Sequence, residues 1–281
     1  MNATQNIKNK FAFTDKITLM AILNITPDSF FESSRITETE NIKSIIAKKF
    51  ADGADIIDIG AMSTAPNAKI ISQNEEWQRI EPVLKIISKD FNDKLFSIDT
   101  FRAEIAKRAV NDYGISIIND ISGGDFDDKM FDVVAQCDVP YILMHRQGNL
   151  ENMHTSTNYK FFIEDVMSYF HNKISELNSL GVSDIVIDPG FGFSKTVDQN
   201  YILLNNLDRF KIFNLPLLAG LSRKTMLWKY LDLTPDNALN ATSVINTIAL
   251  YKGANILRVH DVVEARQVID LFLKTENSLY Y

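Results

Sequence analysis

The feature that most constrains this chain is a recurrence. About eight times along 281 residues, a short apolar run ends in polar or ionisable residues and gives way to apolar residues at helical spacing. The first run, Leu19–Leu23, stops at Asn24, and Thr26-Pro27-Asp28-Ser29 then breaks the strand, because Pro27 has no N–H for a ladder and Asp28-Ser29 favours a turn. Later runs cover Asp55–Gly60, Leu95–Asp99, Ile115–Asp120, Val139–His145, Asp184–Asp188, Leu215–Gly220 and Ala254–His260. Between them, Ile42, Ile45, Ile46 and Phe50, then Trp77, Ile80, Leu84 and Ile87, mark helical faces. Further helices are predicted around Ile105–Val110, Met130–Cys137, Phe161–Leu180, Tyr201–Phe210 and Val268–Phe272. Runs apolar on both faces belong to parallel strands covered on both sides. Eight such units within this length predict a (β/α)8 TIM barrel, one domain over residues 1–281 with the barrel at about 18–275. A doubly wound open sheet is the competing fold, but it concentrates polar residues near one switch point, whereas here nearly every strand end carries them.

Composition removes several functions. A net charge of -7 argues against a nucleic-acid surface, and no segment approaches the roughly 18 apolar residues of a membrane span. The single cysteine, Cys137, leaves no intramolecular disulfide framework and no Cys-based zinc site, and it reads as core filling in a helix. No His/Glu spacing suggests a protein-bound zinc or iron centre. The first fifteen residues lack an apolar run of signal-peptide length, so a soluble cytoplasmic protein is expected.

The strand ends read Asn24, Asp58, Asp99, Asn119-Asp120, Met144-His145, Asp188, Gly220 with Ser222 and Lys224, and Arg258 with His260. In a barrel these converge on one face, where active sites lie. The first half is rich in Asp and Asn, and the last two units are cationic. Carboxylates suit a ring edge presenting N–H groups, while Lys, Arg and His suit a phosphate, so the ligand should have a donor-rich end and an anionic end. Each residue has a plainer reading: Asp99 as an N-cap, Asn24 as a turn residue, His260-Asp261 as a cap. Arg223 and Lys224 at a helix start oppose the helix dipole, which a bound anion would explain.

Taken together, Leu23-Asn-Ile-Thr-Pro-Asp-Ser-Phe30, Asp55-Ile-Ile-Asp-Ile-Gly60, Ser97-Ile-Asp-Thr100, Ile118-Asn-Asp-Ile-Ser-Gly123, Leu143-Met-His145, Ile187-Asp-Pro-Gly-Phe-Gly-Phe193, Gly220-Leu-Ser-Arg-Lys224 and Leu257-Arg-Val-His-Asp261 resemble dihydropteroate synthase, over about Leu19 to Phe272. The resemblance implies a TIM barrel, usually a homodimer. It implies an enzyme that joins 6-hydroxymethyl-7,8-dihydropterin diphosphate to 4-aminobenzoate and releases diphosphate, with Mg2+, and that is the target of sulfonamides. Carried over residue by residue, Asp99, Asn119 and Asp188 would bind the pterin edge, and Met144, Phe193 and Gly220 would line its slot. Lys224 would reach the pterin carbonyl and ring nitrogen. Asn24, Arg258 and His260 would hold the diphosphate, with Asn24 also near Mg2+, and Thr64 and Ser222 would lie towards the aminobenzoate and diphosphate.

Two loops depart from the family pattern. Ser63-Thr64-Ala65-Pro66-Asn67 stands where the family has Ser-Thr-Arg-Pro-Gly, and Phe31-Glu32-Ser33-Ser34 lacks the usual glycines. These changes keep two other readings in view: a pterin-binding paralogue with weak or no synthase activity, and a folate-dependent methyltransferase of the same fold.

Overall fold

Successive residues of a strand face opposite ways, and in a closed barrel the two faces are the lumen and the helical shell. The first strand, β1 (Thr18–Asn24), shows the division. Leu19, Ala21 and Leu23 pack into the large cluster beneath the helices, whereas Met20 joins a separate cluster and Ile22 and Asn24 line a cavity. The computed structural model describes residues 16–25, 35–62, 70–153 and 155–278. Along these run β1, α1 (Arg35–Ala51), β2 (Ile56–Gly60), α2 (Gln73–Asp90), β3 (Leu95–Asp99), α3 (Ala103–Tyr113), β4 (Ile117–Asp120), α4 (Met130–Cys137) and β5 (Tyr141–Met144). There follow α5 (Phe162–Ser179), β6 (Ile185–Asp188), α6 (Val197–Asn205), β7 (Leu218–Ala219), α7 (Thr225–Tyr230), α8 (Leu239–Tyr251), β8 (Ile256–Val259) and α9 (Val262–Asn277).

The eight strands form one parallel sheet in the order β6-β5-β4-β3-β2-β1-β8-β7. A bridge between Ile187 and Leu217, with the Ile187 N–H donating to the Pro216 carbonyl at 2.9 Å, joins β6 to β7 and closes the ring. This is the predicted TIM barrel. The expected seventh strand, Leu215–Gly220, is reduced to two residues. Pro216 has no N–H to donate, and beside it the Asn255 side chain accepts the Leu217 N–H at 3.0 Å in place of a ladder partner. The helix predicted over Tyr201–Phe210 also divides. A capping box between Thr196 and Gln199 starts α6 earlier, and a 3-10 segment, Leu207–Phe213, follows it.

The floor of the lumen is apolar. Met20, Ile56, Ile117, Ile142, Val186, Leu218 and Ile256, one from each of seven strands, are at most 1% exposed and pack together, with Leu95 of β3 against them. Cys137, at the end of α4, packs against the outer core as expected. Among the described residues, no helix is long and apolar enough to cross a membrane.

Candidate active site

Two residues further along each strand, the floor gives way to Ile22, Asp58, Ser97, Asn119, Met144, Asp188, Gly220 and Arg258. Above them opens a cavity of about 390 Å³, within the range of small-molecule sites. Its lining includes Asn24, Asp99, Asn119, Met144, Asp188, Phe193, Gly220, Ser222, Lys224, Arg258 and His260. Every predicted site residue among the described ones therefore meets the others in one space. Thr64, with Ala65 and Glu32 of the two departing loops, lies outside the described residues.

The acidic wall is built on Asp58, which is 0% exposed. Its carboxylate accepts from the Ser97 hydroxyl, from Asn119 Nδ2 at 2.9 Å and from Arg258 Nε at 2.7 Å. Arg258 Nη2 donates to Asp99 at 2.6 Å, so two carboxylates on adjacent strands hold one guanidinium. Burial alone would depress the Arg258 guanidinium, but Asp58 and Asp99 together hold it above its ordinary value. Burial pushes the Asp99 carboxyl up to about 7, with Arg258 opposing and Asp58 adding to the rise. Burial raises Asp188 too, against the Gly190 N–H it accepts at 2.8 Å and the charge of Lys224. Three carboxyls thus face the two cations Arg258 and Lys224, and a ligand offering N–H groups would satisfy the excess of acceptors.

Sequence reasoning gave Asp58 no role of its own. The signal was its position two residues past Ile56 on a strand whose neighbours also turn polar, which marks a lumen residue but not its partners. Asp99 caps no helix: Arg102 is the residue before α3, and the Ala103 N–H donates to Asp127 at 2.8 Å.

On the opposite wall, Lys224 precedes α7 and its Nζ lies 4.5 Å from the centroid of the Phe193 ring, a cation–π contact. Burial first, and the charge of Arg258 second, push this lysine down to about 8. His260 sits at the rim beyond β8, its backbone N–H donating to the Ser222 hydroxyl at 3.2 Å. Desolvation, with Arg258 and Arg223 nearby, holds its imidazole below the ordinary value while Asp261 opposes. Gly220 leaves the slot open, since a Cβ there would meet only Leu218, at 4.0 Å. At Gly190 (φ 72°) a Cβ would fall 2.0 Å from the His145 carbonyl oxygen, so that turn admits no side chain.

Three sequence expectations change. Arg223, expected beside Lys224 as an anion partner, does line the cavity, but its charge is already engaged. Its guanidinium makes a two-pronged pair with Asp261, both bonds 2.9 Å, and also donates to the Pro235 and Asp236 carbonyls. Asp120 and His145 follow Asn119 and Met144 at the strand ends, and alternation turns both away from the cavity. Asp120 accepts from the Ser122 and Gly124 backbones and from the Tyr141 hydroxyl at 2.7 Å, which braces the β4–α4 turn. His145 meets Lys195 behind the wall.

This arrangement can be compared with known proteins. A family model described as pterin binding enzyme matches residues 20–260. The chain is 36% identical to the dihydropteroate synthase of Clostridium beijerinckii, over 94% of this chain and 97% of that one. The chain belongs to the dihydropteroate synthase family of pterin-binding enzymes. It is thereby a transferase. A crystal structure of the Clostridium difficile family member in the presence of pteroic acid superposes with a TM-score of 0.86 at 33% identity, covering 93% of this chain and 97% of that one. The Xanthomonas albilineans enzyme with 4-aminobenzoic acid superposes with a TM-score of 0.84 at 30% identity, covering 94% of each chain.

Proposed function

We propose that the cavity binds 6-hydroxymethyl-7,8-dihydropterin diphosphate and that the chain joins it to 4-aminobenzoate, giving 7,8-dihydropteroate and diphosphate. The observation that carries this reading is the meeting of Asp188, Asn119 and Lys224, from three separate strands' ends, in one cavity. Asp99, Asn119 and Asp188 take the amino and N–H edge of the ring, and Met144, Phe193 and Gly220 form the flat slot around it. Lys224 donates to the ring carbonyl and a ring nitrogen. Asn24, Arg258 and His260 face the diphosphate, and Ser222 lies between the diphosphate and the aminobenzoate.

The reaction asks for little acid–base help. The bond between the methylene carbon and the diphosphate oxygen breaks, and its electron pair leaves on the diphosphate. The electron-rich dihydropterin ring supports the positive charge left at the carbon. The aromatic amine then forms the new C–N bond and releases a proton to solvent. The protein's contribution is positioning and stabilisation of the leaving charge.

Among the described residues no group of three or more His, Cys, Asp or Glu side chains could hold a metal. Asn24, exposed at the tip of β1 and lining the cavity, offers one amide oxygen. That set fits Mg2+ carried largely by substrate phosphates and water. When bound it would neutralise diphosphate charge. We also read the chain as a cytoplasmic homodimer: Val244, Ile248 and Tyr251 form one exposed apolar stripe on α8, at 52%, 39% and 53% exposure.

The test is direct. Incubation of the chain with both substrates and Mg2+ should yield 7,8-dihydropteroate, and its absence overturns the reading. Pterin binding without product would instead favour the binding-protein alternative raised by Ala65 and Glu32. Sedimentation should show a dimer that Ile248→Glu dissociates; a monomeric wild type would remove that part.

A further inference from the structure

The connection from β6 to α6 carries two walls of the cavity, Asp188 at its start and Phe193 near its end. Between them, Gly190 and Gly192 both adopt left-handed backbone, at φ 72° and 80°. A loop of that composition has many accessible conformations, so something must select the one that serves the cavity.

Lys195 makes that selection. The residue is 6% exposed and does not line the cavity. Its ammonium donates to the Gly190 carbonyl at 3.0 Å and to the Phe193 carbonyl at 2.9 Å, and lies 3.1 Å from His145 Nδ1. An ammonium has three donors and here meets three acceptors, provided His145 is neutral with its proton on Nε2. Burial and the neighbouring lysine charge hold that imidazole well below its ordinary value, which keeps it neutral. Asp188 favours the charge of Lys195 from a distance, while the close partners of that ammonium are the two carbonyls and the imidazole. Burial first, and the charge of Lys224 in addition, push Lys195 itself down to about 7 against the charge of Asp188, so its charged form is costly here, and an apolar side chain would fill the same volume without that cost. The three bonds join two points of one loop to the end of β5, an arrangement that packing alone would not require. The adjacent Ser194, at φ 50°, adds a second tie: its hydroxyl accepts the Gln147 N–H at 2.8 Å and donates to a β5–α5 loop carbonyl.

We propose that Lys195 is a positioning residue for the pterin pocket: its buried ammonium fixes the β6–α6 connection against the end of β5 and thereby sets Asp188 and Phe193 opposite Met144 and Lys224. This inference rests on the pterin reading of the cavity. The chain of contacts is continuous. Gly190 accepts the ammonium through its carbonyl and donates its own N–H to Asp188, while Phe193 accepts it through its carbonyl and presents its ring to Lys224.

The experiment compares wild type, Lys195→Met and His145→Phe, the last removing only one arm of the tripod. Melting temperature, kcat and the KM of each substrate are measured, with calorimetric binding of the unreactive oxidised alcohol 6-hydroxymethylpterin. Lys195→Met should raise the KM for the pterin diphosphate and the Kd for 6-hydroxymethylpterin about tenfold or more, the scale expected when binding groups shift by a fraction of an ångström to an ångström. The KM for 4-aminobenzoate should stay within about twofold. His145→Phe should show a smaller change of the same kind. Equal losses on both substrates, unchanged pterin affinity, or failure of both variants to fold assigns Lys195 to general stability and overturns the proposal. If wild type itself does not bind 6-hydroxymethylpterin, the reading of the cavity fails and takes the clamp with it; if wild type binds and the variants match it, the clamp alone fails.

Discussion

The floor of the barrel and the layer above it are made by the same strands, two residues apart, yet they do different work. Below, seven apolar side chains pack together in the lumen and do not line the cavity above. Above, Asp58, Asn119, Asp188 and Arg258 stand at the corresponding inward positions of β2, β4, β6 and β8. The lower layer supplies burial, which depends on volume and is indifferent to chemistry. The upper layer supplies charge in a place already dry, where each polar group must find a partner in the protein or in a ligand. The barrel's strand period thus separates stability from recognition by a single step of about 7 Å along each strand.

Asp58 is the residue on which that separation should break, and its removal should give the largest effect. It belongs to the upper layer but is as buried as the floor. Asp58→Ala leaves Asn119 Nδ2 and Ser97 without their shared acceptor and Arg258 with one carboxylate instead of two. Stability should fall by roughly 3–5 kcal/mol, the cost of breaking a buried pair. The surviving enzyme should also lose about 100-fold in kcat/KM as Asn119 and Arg258 shift. Denaturant titration beside steady-state kinetics measures both. A change in only one of them would place Asp58 wholly in one layer.

Ile142→Ala in the floor should cost about 2–5 kcal/mol by the cavity it opens. Its kcat/KM per folded molecule should stay near that of wild type. A large kinetic loss would show that the floor communicates with the site. Gly220→Ala is the converse and smaller change. The added Cβ meets nothing closer than Leu218 at 4.0 Å, so the melting temperature should hold. The methyl group enters the slot, and pterin affinity should drop about tenfold, or about 1.4 kcal/mol. A stability loss there would mean that the position is packed and not open.

The sequence carried most of this upper layer because its signal is local. An apolar run that turns polar at its end announces a strand tip, and eight such tips imply a shared face. The strand-end pattern alone could not separate Asn119 from Asp120 or Met144 from His145; the family motifs did, by assigning roles to Asn119 and Met144. The phase of the alternation is set by tertiary packing against the shell, and both members of each pair are polar or followed by polar residues. The pairing of Arg223 with Asp261, 38 positions later, was equally hidden, since nothing local to either residue announces it. Lys195 was invisible for the same reason, as a lysine before a helix reads as a surface residue until its three acceptors are seen. The apolar run around Pro216 suggests a full strand, and the missing N–H of Pro216 is what shortens β7 in the structure.

The finest test concerns the two groups of the upper layer whose protonation burial has shifted into the working range. Lys224, pushed down to about 8, donates most strongly to the pterin carbonyl and favours an anionic substrate when charged. Its protonated fraction in the free enzyme falls as pH rises through about 8, and kcat/KM for the pterin diphosphate should fall with it, approaching tenfold per unit above that point. Asp99, pushed up to about 7, must be ionised to accept from the ring and to hold Arg258. Its ionised fraction grows as pH rises through about 7, so kcat/KM should climb there. The profile should therefore be a narrow bell between the two values. Asp99→Asn should remove the acid limb and Lys224→Met the part of the alkaline limb near 8, each at a lower plateau, the remaining alkaline fall belonging to Lys195, which burial pushes down to about 7. Arg258 should contribute no limb, because Asp58 and Asp99 hold it above its ordinary value. A broad plateau reaching from pH 5 to 10 would mean that both groups keep the protonation behaviour of exposed side chains, and that the upper layer is wetter than the floor beneath it suggests.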